Sequence, residues 1–131
     1  RPSIIRIALL PINVEKTAHQ LPAKNLQWEL RNQLLATDNL RFLSPSLVPL
    51  DSANDFSFVA QELNSAWVIE GEISENNNQL MVNLRLVETH SGLVMVNHSK
   101  NISSTQPQWI NYSATFITKF KAILPANSQG G

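Results

Sequence analysis

This chain of 131 residues predicts a mixed α/β fold, a three-layer arrangement of a five-stranded sheet and helices. Three observations carry that reading. Ile4-Ile5-Arg6-Ile7-Ala8-Leu9-Leu10 is a short, nearly continuous apolar run stopped by Pro11, the pattern of a buried central strand. Leu26, Leu30 and Leu34 recur every four residues among polar neighbours, the pattern of one helix face. From Trp67 to Gly92, two alternating segments flank the polar turn Asn76-Asn77-Asn78 and lead to a second turn at Ser91-Gly92, as in an antiparallel meander.

The predicted element order is β-α-β-α-β-β-β-α. The first strand covers Ile4 to Leu10. The first helix spans Leu21 to Thr37, and Pro22 suits its first turn, where a missing N–H costs nothing. A second strand, Arg41 to Ser44, ends at Pro45 and a loop through Pro49. Ser52 caps a second helix with Asp55 near its positive end; Phe56, Val59, Ala60 and Leu63 share one face, and Asn64-Ser65 ends it. The third and fourth strands run from Trp67 to Ser74 and from Leu80 to Val87, and the fifth from Leu93 to about Asn101. A last helix, roughly Gln106 to Leu124, carries the stripe Trp109, Tyr112, Phe116, Phe120 and Leu124, and Pro125 stops it. Residues 1–125 thus form one domain, and 126–131 a frayed tail. Strands that alternate with helices pair parallel through right-handed crossovers; strands joined by short turns pair antiparallel.

Register follows from the same pattern. Pairing Ile73 with Val82 and Ile69 with Leu86 gathers the apolar side chains on one face, and sets Glu70 opposite Arg85 on the other as a cross-strand ion pair. At the next turn an even loop would place Asn97 beside Leu86. An odd loop places Leu86 beside Val94 and Leu84 beside Val96; this is the expectation, with Gly92 left-handed and forming a bulge.

Hydrophobic content of 43% is enough for a core. Ten basic residues balance ten acidic ones, which argues against a nucleic-acid face and against a polybasic membrane patch. No apolar run approaches the roughly 20 residues of a spanning helix, and no signal-peptide pattern is present, so a membrane is expected only through a segment outside this chain. The chain opens on Arg1 and is read as a piece of a longer one. With no cysteine it has neither disulfides nor thiolate metal sites.

Residues able to do chemistry are scattered. His19, His90 and His98 lack metal-ligand spacing and read as three surface imidazoles. Glu70, Glu72 and Glu75 read as a solvated or ion-paired sheet face rather than acid–base groups, and Glu88 as a turn carboxylate accepting backbone amides. Ser44, Ser46 and Ser52 have no histidine near them in sequence; a hydrolase would need His19 brought to one of them in space. No phosphate loop, nucleophile elbow or metalloprotease motif occurs. No catalytic residue, metal or cofactor is therefore expected. Trp28 and Phe58 fall off their helices' apolar stripes, as exposed aromatics of a partner surface do.

Several pieces in order resemble the TolB amino-terminal-like family of bacterial envelope domains: Ala8-Leu9-Leu10-Pro11-Ile12, Ala60-Gln61-Glu62-Leu63-Asn64, Val68-Ile69-Glu70-Gly71-Glu72-Ile73 and Leu86-Val87-Glu88-Thr89-His90-Ser91-Gly92. The resemblance implies strand order 2-1-3-4-5. It also implies a non-enzymatic role as the periplasmic sensor or interaction domain of a membrane-anchored, ToxR- or CadC-like transcription regulator, on the periplasmic side of the inner membrane. A separate winged-helix domain would then bind DNA. The alternative is a secreted or lipid-anchored accessory protein that binds another envelope protein. The sequence departs from the family in the loop Asn13 to His19, at Val96 and at Lys100.

Order 2-1-3 makes the carboxyl end of the first strand a topological switch point, where Pro11, Ile12, Asn13 and Val14 would line a binding crevice. The fifth strand would be a sheet edge, with Met95, Asn97 and Ser99 along a candidate interaction edge for a homodimer or an envelope partner.

Overall fold

The computed structural model describes residues 5–37, 40–43, 66–105 and 107–123. Its strands are β1 (Ile5–Leu9), β2 (Asn13–Val14), β3 (Leu40–Leu43), β4 (Trp67–Asn76), β5 (Gln79–Glu88) and β6 (Val94–Ser103). The helices among these residues are α1 (Gln20–Leu35), entered through a 3₁₀ turn at Thr17–His19, and α2 (Trp109–Ile123). Neither is long and apolar enough to cross a membrane.

The five long strands lie in the order β3-β1-β4-β5-β6, with β1 parallel to both neighbours and the last three antiparallel. This is the mixed sheet the sequence predicts, with one addition. The chain leaving β1 does not turn away at Pro11. It continues as β2, parallel to β4, with Asn13 opposite Glu72 and Val14 opposite Ile73. Pro11, which has no N–H to pair, marks the break between the two segments.

Periodicity decides which side chains go inside. Leu26, Leu30 and Leu34 of α1 are fully buried, as are Phe116 and Phe120 of α2, with Trp109, Tyr112 and Ile117 nearly so. They join Ile7, Leu9, Ile69, Ile73, Val82, Leu84 and Leu86 in one cluster, so both helices cover the same face of the sheet. Each such side chain contributes about 2 kcal/mol through apolar burial. The third layer expected from the second helix, with Phe58 and the loop serines, lies outside the described residues, as do Leu124 and the tail.

Gly71 has a steric reason. A Cβ there would lie 2.4 Å from the Asn83 carbonyl oxygen and 2.7 Å from Leu84 Cδ2. The Tyr112 hydroxyl donates to the His98 carbonyl at 2.6 Å, with the Val82 carbonyl 3.2 Å away, and so fastens α2 to the last two strands. Burial pushes the pKa of that hydroxyl up.

The β4–β5 hairpin has the expected register, with Ile69 opposite Leu86, Glu70 opposite Arg85 and Ile73 opposite Val82. Asn77 and Asn78 turn it with φ of 51° and 66°, the left-handed pair that a two-residue turn matching the strand twist requires.

The β5–β6 register corrects the expectation. Leu86 faces Val96 and Leu84 faces His98, while Val94 faces Val87. The Glu88 carboxylate accepts the amides of His90 (2.8 Å) and Ser91 (3.0 Å), and the Gly92 amide bonds the Glu88 carbonyl at 2.8 Å. These bonds hold a four-residue turn, Thr89 to Gly92, closed by Glu88 N–H to Leu93 C=O at 2.9 Å. Gly92 is left-handed as expected (φ 74°), but the bulge sits further along, between the Leu86 and Val87 pairings, where Met95 is the extra residue. That one-residue insertion returns Val96 to the core face.

Candidate interaction surfaces

Arg85 is the hub of the polar face of β4 and β5. Its Nε donates to Glu70 Oε1 at 2.8 Å, and Nη1 and Nη2 fork onto Glu72 at 2.8 and 2.5 Å. Asn83 Nδ2 adds a 3.3 Å bond to Glu72 Oε1, and Ser99 Oγ donates to Asn83 Oδ1 at 2.6 Å. The Arg85 guanidinium holds the Glu72 carboxyl below the usual carboxylate range, and Glu72 in turn raises the pKa of Arg85. Sequence reasoning paired Arg85 with Glu70; the bidentate bond goes to the diagonal neighbour Glu72, whose planar carboxylate matches the guanidinium fork. An ionised carboxylate with both oxygens bonded is a poor proton shuttle. These groups act as a cross-strand clamp.

The histidines stay apart. His90 is exposed in the turn. His98 stacks on Tyr112 (centroids 4.7 Å apart) and its Nδ1 lies 3.0 Å from Lys119 Nζ. Burial first, then the charges of Lys119 and Lys100, pull its pKa down, so it is neutral at pH 7. His19 corrects the surface reading: it is 6% exposed, packed at the entry to α1, with Nε2 3.6 Å from Glu75 Oε1. Among the described residues no group of three or more His, Asp or Glu is placed to hold a metal ion.

Ile12 is buried in the core, Val14 packs against it, and Asn13 is exposed in β2. Beyond Pro11 the chain keeps to the side of β4 as β2. On β6, Met95 is 44% exposed at the bulge and Asn97 faces Arg85, while the Ser99 hydroxyl is engaged by Asn83. These three residues do lie along a terminal strand of the described sheet.

Among the described residues, exposed apolar side chains occur at Leu93, Val94 and Met95 and again on α1. Trp28 is 58% exposed, as its place off the apolar stripe predicted. Sequence reasoning missed its companions. Leu21 and Leu35 are also exposed, each seven residues from Trp28 and on the side of the helix opposite Leu30. Seven-residue spacing was the available signal, hidden because Leu26, Leu30 and Leu34 already accounted for the helix. The Arg31 guanidinium lies 5.4 Å from the Trp28 ring centroid. Beside Trp28 an open cavity of about 460 Å³ runs to the start of α2, walled there by Trp109 and the exposed Ile110. The Gln33 side chain ties the two helices through the Ile110 carbonyl at 3.2 Å.

No model of a known protein family matches this sequence, and no curated protein matches it. Solved structures do. TolB from Acinetobacter baumannii superposes with a TM-score of 0.66 at 14% identity over 96% of this chain, which spans 30% of the TolB chain. The LpoB C-terminal domain from Salmonella enterica gives 0.59 at 14% identity, covering 79% of this chain and 86% of that one. Lipoprotein GNA1162 from Neisseria meningitidis gives 0.57 at 12% identity, covering 90% of this chain and 96% of that one. At these identities the likeness is one of fold alone, the fold shared with part of TolB, with the LpoB C-terminal domain and with GNA1162.

Proposed function

We propose that this chain is a non-enzymatic interaction domain of the bacterial envelope, facing the periplasm and serving as an accessory module that binds another envelope protein. The observation that carries this is the apolar row Leu21, Trp28 and Leu35 left in solvent, with an open groove beside Trp28. Elsewhere, the carboxylates best placed for chemistry are locked onto Arg85. Monomeric proteins rarely leave such rows uncovered unless something binds there. The accessory reading takes precedence over the regulator reading. Two of the fold neighbours match this chain over most of their own length, one of them a lipoprotein, and neither is named a regulator. A photo-crosslinking residue in place of Trp28, in the full-length protein in its own cells, is expected to give an adduct with an envelope protein. If neither that position nor Met95 yields an adduct above background, or if purified protein turns over a substrate, the reading fails.

A further inference from the structure

We infer that the outer face of α1 is a docking site for an amphipathic helix of the partner, one with acidic residues along one flank of its apolar row. The inference rests on the interaction-domain reading above and names the partner's form. Three facts point to it. First, Leu21, Trp28 and Leu35 stand one heptad apart, so they form a straight row about 10 Å between members along the helix. A second helix with the same repeat meets such a row in register, whereas an extended strand, at about 3.3 Å per residue, does not. Second, Trp28 at the middle of the row borders a groove. Ile110 forms its far wall at 63% exposure, and the cavity of about 460 Å³ between them is large enough for bulky side chains inserted from a partner. Third, the flanks differ in charge. Three residues after Leu21 and after Trp28 come Lys24 and Arg31, both exposed, on the side away from α2; Glu29 lies on the α2 side. A partner with glutamates along the first flank is complementary.

Two other occupants fit less well. A second copy of α1 packed antiparallel in the seam would bring its own Lys24 and Arg31 against these two, a like-charge contact. A flat lipid surface gains nothing from a groove.

The test uses the full chain and a labelled 21-residue helical peptide. The peptide has leucine at three successive heptad positions, glutamates along one flank and glutamines along the other. Anisotropy is expected to show at least tenfold tighter binding than to a scrambled peptide of equal composition. Trp28→Ala should lose at least tenfold with an unchanged thermal melt. Lys24→Glu with Arg31→Glu should reverse the preference toward a peptide with lysines in place of the glutamates. Equal binding of peptide and scramble, or no effect of Trp28→Ala, overturns the inference. So does Trp28-dependent binding to phosphatidylglycerol vesicles without peptide preference, or a sedimenting dimer that Trp28→Ala dissociates. If the peptide fails while the crosslink at position 28 still captures an envelope protein, the helix inference falls and the interaction-domain reading stands; if both fail, both fall.

Discussion

The two faces of α1 carry the same kind of residue and meet opposite fates. Leu26, Leu30 and Leu34 are at 0% exposure, and Leu21, Trp28 and Leu35 are at 66%, 58% and 56%. Nothing in the chemistry of a leucine separates them. The inner three point at the sheet and the helix α2, where they displace water; the outer three are left in solvent, Trp28 beside the open groove that separates it from the start of α2. An apolar side chain stabilises a fold only to the extent that the rest of the chain covers it. The outer row therefore contributes little to folding and is available for association.

That contrast can be broken by substitution. Leu30→Ala should cost about 3 kcal/mol in urea unfolding, because it leaves a cavity among fully buried neighbours. A cost near zero would mean that the inner face is not the core. Next in size, Gly71→Ala should destabilise by about 2 kcal/mol, since the Asn83 carbonyl cannot yield as a side chain would. Tyr112→Phe should cost about 1 kcal/mol, the worth of the hydroxyl bond that fastens α2 to β6, and should leave the buried ring in place.

Smaller still is the effect on the open sheet face. The Glu72 carboxyl titrates below its ordinary value of 4.5 in the folded chain, so its stabilisation is present above that pH and is lost as pH falls through the depressed folded value. Glu72→Gln should lower stability at pH 7 by less than about 1 kcal/mol, because the pair is partly solvated. The variant and parent curves should then converge in acid; curves that stay parallel would remove Glu72 from the clamp. Last, Leu21→Ala and Trp28→Ala should each change stability by under about 0.5 kcal/mol. A larger loss would show that the outer row is structural, and the contrast between the faces would collapse.

The ion-paired clamp shows how far sequence reasoning reaches. Alternation placed Glu70, Glu72 and Arg85 on one face and paired Glu70 with Arg85 correctly. It did not reveal that the guanidinium would fork onto the diagonal Glu72, because that depends on side-chain reach across a twisted ladder. The second turn makes the same point. Glu88 as an amide acceptor and Gly92 as a left-handed residue were both readable, yet the length of the loop and the place of the bulge were not.

What the amino-acid order determined by itself is local: among the described residues, which long segments are strands or helices, which face of each is apolar, and how β4 meets β5. These follow because the backbone has only two common periods, and a side chain's place in the period decides its direction. Tertiary structure alone decided that the chain beyond Pro11 would run on beside β4. It also decided that His19 would be buried and that the outer row of α1 would stay uncovered. Each of these depends on which distant segments arrive at a surface, and no short-range pattern of residues carries that information.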